Sequence, residues 1–85
     1  MSLKVEFTPR AFEDLSHLDQ SIAARVLSKV RWFAEKFPAV KPVPLTGKLR
    51  GLFKLRVGEW RVLYTLEEDK LVIHAVRHRR EVYRS

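Results

Sequence analysis

Lys54, Arg56 and Arg61 lie close together in the chain, and Arg77, His78, Arg79, Arg80, Tyr83 and Arg84 crowd its tail. This set suits cleavage of RNA without a metal ion. A base must activate the 2′-hydroxyl, cations must stabilise the crowded phosphorane, and an acid must serve the departing 5′-oxygen. Clustered cations stabilise the transition state and, by mutual repulsion, favour the neutral form of a lysine among them. A tail aromatic such as Tyr83 can stack on a base and hold the backbone in line. A plain RNA-binding surface draws on the same residue types, so the residues alone leave both open.

The elements that must position these groups follow from residue periodicity. Phe53–Val57 and Trp60–Leu66 are alternating runs separated by Gly58-Glu59, a pair that suits a type II′ hairpin with glycine first. With that loop Val57 sits opposite Trp60, Arg56 opposite Arg61 and Lys54 opposite Leu63. One face then carries Phe53, Leu55, Val57, Trp60, Val62, Tyr64 and Leu66. The other carries Lys54, Arg56, Arg61, Leu63 and Thr65. Like charges directly across a ladder cost on the order of a few tenths of a kcal/mol unless an anion offsets them. A solvated outer face is the bland alternative, but no acidic residue interrupts this cluster.

Composition sets the limits. The chain has 85 residues, a net charge of +7 and 46% hydrophobic residues, enough for one domain (1–85) with a small core. The charge suggests a polyanionic partner, or an acidic protein that masks the same surface. No cysteine is present, which removes disulfides, thiolate nucleophiles and zinc–thiolate sites. No apolar run reaches membrane-spanning length and the N-terminus lacks the layout of a signal peptide, so a cytoplasmic protein with no membrane partner is expected.

Upstream, Leu3, Val5 and Phe7 alternate with Lys4 and Glu6 as in a half-buried strand. Thr8-Pro9 then announces a helix carrying Ala11, Phe12, Leu15 and Leu18. Asp19 can cap a second helix with an apolar stripe of Ile22, Val26, Val30, Phe33 and Phe37, widened by Ala23, Leu27 and Ala34 and stopped by Pro38. The short junction implies a helical hairpin on the apolar side of the sheet. Residues 38–51 read as a connecting loop with little regular structure. Leu71–Val76 is nearly all apolar, which predicts a strand inside the sheet. The predicted fold is α+β in the order β-α-α-β-β-β: an antiparallel sheet of about four strands packed on an N-terminal helical hairpin.

Several chemistries are excluded by spacing. Gly47, Gly51 and Gly58 fit no phosphate-binding loop, and His17, His74 and His78 are too scattered for a metal site. No cofactor is expected. The carboxylates Glu13, Asp14, Glu35, Glu67, Glu68 and Asp69 fall on helix faces and a turn read as exposed, with structural roles. Trp60 and Tyr64 belong by parity to the core, and Trp32 falls beside the apolar stripe of the second helix.

Four segments in order carry a resemblance. Phe7-Thr8-Pro9-Arg10-Ala11, Pro44-Leu45 through Leu49-Arg50-Gly51-Leu52-Phe53-Lys54-Leu55-Arg56, Trp60-Arg61-Val62-Leu63-Tyr64 and His78-Arg79-Arg80-Glu81-Val82-Tyr83 together resemble the RelE family of the RelE/ParE toxin superfamily. The resemblance spans nearly the whole chain. It implies a toxin of a toxin–antitoxin module, a RelB-like antitoxin that wraps the basic surface, and cleavage of mRNA in the ribosomal A site.

By position, the resemblance makes Lys54 and Arg56 the paired cations facing the scissile phosphate and Arg61 the arginine that contacts that phosphate. Arg79 becomes the tail arginine of leaving-group stabilisation or acid catalysis, and Tyr83 the aromatic that orients the nucleotide. Lys48, Arg50, Arg77, Arg80 and Arg84 are expected to steer RNA. Lys54-Leu55-Arg56 replaces the Lys-x-Lys of some relatives, whose second lysine is the usual general base. Arginine hardly ever gives up its proton, so the base is expected at Lys54, with His78 as rival. Val43 stands where a sister branch has glutamate, which argues against carboxylate catalysis. Tyr83 could instead dock the tail against the sheet. The alternatives in function are a ParE-like DNA gyrase inhibitor without catalysis and a non-toxic RNA-binding relative.

Overall fold

The computed structural model describes residues 3–37, 42–49 and 51–82. Strand β1 (Lys4–Phe7) leads into the helices α1 (Pro9–Ser16) and α2 (Gln20–Lys36). Then come the short β2 (Val43–Pro44), a 3-10 turn at Gly47–Leu49, strands β3 (Phe53–Val57), β4 (Trp60–Glu67) and β5 (Lys70–His78), and a final turn of helix α3 (Arg79–Val82). The Thr8 hydroxyl accepts from the Ala11 amide and Pro9 takes the first helical position, so α1 starts where a free amide would otherwise be orphaned. Asp19 stands at the N-terminus of α2 but makes no side-chain cap bond.

The five strands run in the order β1-β5-β4-β3-β2. The expected antiparallel sheet of about four strands is thus a mixed sheet of five, because β1 pairs parallel to β5 while the other neighbours are antiparallel. The fifth strand is β2, which pairs Val43 with Lys54 and Pro44 with Phe53 inside the segment expected to be irregular. A proline at a sheet edge loses no ladder bond. The β5 strand lies between β1 and β4, in keeping with its apolar run.

The hairpin register is Val57 with Trp60, Arg56 with Arg61 and Lys54 with Leu63. Gly58 has φ +59°, the left-handed value required at the first loop position of a II′ turn. Between β4 and β5 the register slips: Leu63 faces Ala75 but Tyr64 faces Ile73, leaving His74 as an extra residue in a bulge.

The core fills the space between the helices and one face of the sheet. Ala11, Val26, Val30, Phe33 and Ala34 meet Leu55, Val57, Val62, Tyr64, Leu71, Ile73 and Val76 there. The Tyr64 ring lies 5.2 Å from that of Phe33 and 5.7 Å from that of Phe53. Phe12, grouped with the apolar positions of α1, is 68% exposed. On the opposite face Leu45, Leu49 and Leu52 fold back onto Leu63 and Ala75 to make a second, smaller core. Helices therefore cover one face and the 42–52 segment part of the other.

Candidate nucleic-acid interface

The open part of that second face is lined by cations because of strand pairing. Arg56, Arg61 and Arg77 are consecutive ladder partners across β3, β4 and β5, so they form one row. The neighbouring row is Lys54, Leu63 and Ala75, whose last two members lie under the small core. Lys54 thus flanks the arginine row on the side of the leucine-covered patch, and the Gly58-Glu59 turn bounds it on the other.

Arg61 sits at the centre of the row and is only 6% exposed, although it is charged. Its Nη1 donates to the carbonyls of Gly58 and Trp60, each at 2.9 Å. Its Nε is buried with no hydrogen-bond partner, and no described carboxylate forms an ion pair with it. Burying an ion without an opposite charge costs on the order of several kcal/mol. The two carbonyls fix the guanidinium in place, and an incoming anion would supply the charge that is missing. Arg56, directly across the ladder, is exposed and can move with a ligand.

Two carboxylates reach this neighbourhood and pair with its arginines. Glu59 in the hairpin turn holds Arg79, its Oε2 2.8 Å from the arginine Nε, while its carbonyl accepts from the Arg79 amide at 2.8 Å. Both side chains are more than half exposed, so the ion pair contributes at most about 1 kcal/mol and can open to a phosphate. Asp14, expected on an exposed helix face, is instead largely buried and pairs with Arg77. The exposed-face reading is corrected for Asp14, because α1 lies along the edge of β5 that β1 leaves unpaired, while Glu13, Glu35, Glu67, Glu68 and Asp69 are exposed as expected.

His78 falls on the other parity. It is the ladder partner of Trp60, and the two rings meet edge to face at 5.4 Å. Its Nδ1 accepts from the Arg80 amide at 3.3 Å. The structure therefore places Lys54, Arg56 and Arg61 together, with Arg79 at the end of the hairpin, and keeps His78 on the Trp60 side. Arg80 is exposed on α3. Arg50, Tyr83 and Arg84 lie outside the described residues, as does the side chain of Lys48 within the 3-10 turn.

The sequence reading also missed a groove of about 610 Å³ between α2 and the outer edge of β3, lined by Arg25, Ser28, Lys29, Trp32, Arg56 and Val57 among others. The Lys29 ammonium stands 4.2 Å from the centre of the Trp32 ring. The spacing of Arg25, Lys29 and Trp32 along one helix face was the available signal. Among the described residues no group of three His, Asp or Glu side chains gathers to hold a metal. No helix among the described residues is long and apolar enough to cross a membrane.

Comparison with known proteins places this geometry in context. The family described as ParE toxin of type II toxin–antitoxin system, parDE, matches residues 5–83. Toxin RelG of Mycobacterium tuberculosis is 34% identical over 86 residues, covering 99% of each chain. The crystal structure of the toxin–antitoxin complex RelBE2 from Mycobacterium tuberculosis contains a chain that superposes with a TM-score of 0.81 at 31% identity, covering 92% of both. The archaeal RelE–RelB complex of Pyrococcus horikoshii supplies a chain with a TM-score of 0.69 at 23% identity, covering 93% of this chain and 97% of that one, a likeness of fold.

Proposed function

Because the chain belongs to the ParE toxin family of type II toxin–antitoxin systems, within the RelE/ParE superfamily, we propose that it is a cytoplasmic endoribonuclease that cuts mRNA in the ribosomal A site and so arrests translation. The observation that carries this reading is Arg61: a fixed, buried cation with no carboxylate partner among the described residues, beside Arg56 and on the face that also bears Lys54. A scissile phosphate is an anion of the size and charge that such a site lacks.

In the proposed reaction Lys54 in its neutral form takes the 2′-hydroxyl proton as the oxygen attacks phosphorus. The O2′–P bond forms, the P–O5′ bond breaks, and the products are a 2′,3′-cyclic phosphate and a 5′-hydroxyl end. Arg61 and Arg56 stabilise the charge on the equatorial phosphoryl oxygens. Arg79, released from Glu59, stabilises the departing 5′-oxygen, to which a proton returns. Tyr83 would stack on a base beside the cut, by resemblance to the family. We propose also that an antitoxin masks the cation-lined face, since the similar Mycobacterium tuberculosis chain was solved in a toxin–antitoxin complex.

Induced expression followed by mapping of mRNA ends tests the reading. Cuts within codons at the A site, lost in Arg61→Ala, support it. A second reading, inhibition of DNA gyrase without catalysis, is favoured by the ParE description of the matching family. Gyrase-dependent DNA breaks without A-site cuts would establish that one and remove the first.

A further inference from the structure

Beyond Phe7 the chain leaves β1 and turns into α1, so among the described residues no strand lies beside the outer edge of β5 from His74 onward. Groups from α1 and the residue before it take over the ladder. The Thr8 amide donates to the Ile73 carbonyl at 3.0 Å and the Thr8 hydroxyl to the His74 carbonyl at 3.3 Å. One turn and a half later, Asp14 Oδ2 accepts from the Val76 amide at 2.9 Å. The same oxygen accepts from Arg77 Nη1, and both side chains of this ion pair are largely buried. Arg77 is also the ladder partner of Arg61. One carboxylate oxygen therefore closes the sheet edge and removes the third arginine from the row.

We infer that Asp14 sets how many cations the row offers to a polyanion, by tying Arg77 to the sheet edge and leaving Arg56 and Arg61 to face the phosphate. Asp14 is then a positioning residue for the cation cluster and Arg77 a cation held in reserve. The two tasks of the carboxylate differ in chemistry. An amide oxygen can accept from the Val76 amide as a carboxylate does, but it carries no charge to hold a guanidinium. Asp14→Asn therefore keeps the edge bond and loosens Arg77. The inference rests on the reading of this face as the RNA site.

The test uses the full chain and a single-stranded RNA decamer, 2′-O-methylated at every position so that it cannot be cut, with binding followed by fluorescence anisotropy across a range of KCl. Each phosphate neutralised on a single strand contributes about 0.7 to the slope of log affinity against log salt. Asp14→Asn should bind the decamer more tightly, with a slope steeper by about 0.7, and the gain should vanish in Asp14→Asn/Arg77→Gln. An unchanged slope in a folded Asp14→Asn would overturn the inference. Should that variant not fold, Arg77→Gln and Arg61→Gln decide it: Arg77→Gln losing as much affinity as Arg61→Gln shows that Arg77 already faces the phosphate and overturns it. A smaller loss supports it. If Arg61→Gln leaves binding unchanged, the RNA site itself is refuted and this inference with it. Loss of binding in Arg61→Gln with no response to Asp14→Asn refutes the inference alone.

Discussion

Arg56 and Arg61 face each other across the β3–β4 ladder, yet Arg56 is exposed while Arg61 is 6% exposed and fastened by its own Nη1 to the carbonyls of Gly58 and Trp60. Preorganised donors stabilise a developing charge more than mobile ones do, because they do not reorganise during the reaction. Arg61→Gln should therefore lower the single-turnover cleavage rate on programmed ribosomes by about 10²–10³-fold. Arg56→Gln should cost clearly less. Equal losses would mean that burial of Arg61 gives no catalytic advantage. Arg61→Lys should not restore the rate, since an ammonium cannot span the two carbonyls and the phosphate as a planar fork can.

Lys54 and His78 are separated by strand parity, and the general base should follow that separation. Lys54→Met is expected to lower cleavage by about 10²–10⁴-fold, the range of a lost acid–base group. His78→Gln, which removes a ring packed on Trp60, should keep the rate within about tenfold of the wild type, measured in the same assay. The reverse order would move the base to His78 and require the tail to rearrange on the ribosome.

The pairing of Arg79 with Glu59 yields a third expectation. If Arg79 serves the leaving group, Glu59 only parks it. Arg79→Ala should then reduce cleavage about 10²-fold, while Glu59→Gln, which breaks an exposed ion pair, should change stability by less than about 1 kcal/mol and leave cleavage intact or faster. A Glu59→Gln variant as inactive as Arg79→Ala would show that the carboxylate takes part in the reaction itself. Ribosome cleavage rates and urea midpoints separate the two effects.

Tyr64 bears on stability rather than on the site. Its hydroxyl is buried without a partner, and burial pushes the phenol up to about 12 from 10.0. Leaving a buried hydroxyl unsatisfied costs about 1–3 kcal/mol, so Tyr64→Phe should be neutral or stabilising at pH 7. Because the folded value lies above the unfolded one, this stability is complete below pH 10 and is lost as pH rises towards about 12. Urea unfolding across that window should show wild type weakening more steeply than Tyr64→Phe. Parallel curves would contradict the assignment.

How far the sequence reached can be seen at particular residues. The cross-strand partners Arg56 and Arg61 were legible because a two-residue turn with leading glycine leaves one register, and parity then fixes both faces. Thr8-Pro9 marked α1 for a similarly local reason. The parallel pairing of Val5 with Leu71 was hidden, since nothing local encodes a contact between residues so far apart. The same holds for Asp14 and Arg77. The small core of Leu45, Leu49 and Leu52 was missed because proline and glycine dominate the segment and mask its three leucines. At the site, cation type and parity were readable, but the burial of Arg61 and the carboxylate partners of Arg77 and Arg79 depend on the folded chain.

The extra residue at His74 has a geometric consequence for the whole face. Leu71, Ile73 and Val76 all enter the core, although the three-residue step from Ile73 to Val76 would change face on a regular strand. The bulge inverts the pleat once, so that the far half of β5 turns Val76 inward and Arg77 outward. Were β5 paired at its present length without the bulge, Ala75 would face Val62, Val76 would face Arg61 and Arg77 would face Trp60, turning a valine outward and a guanidinium toward the core. The arginine row thus hangs on how one surplus residue is accommodated: because the bulge absorbs His74, Arg77 comes to lie beside Arg61, and a strand one residue shorter would reach the same pairing with no bulge at all.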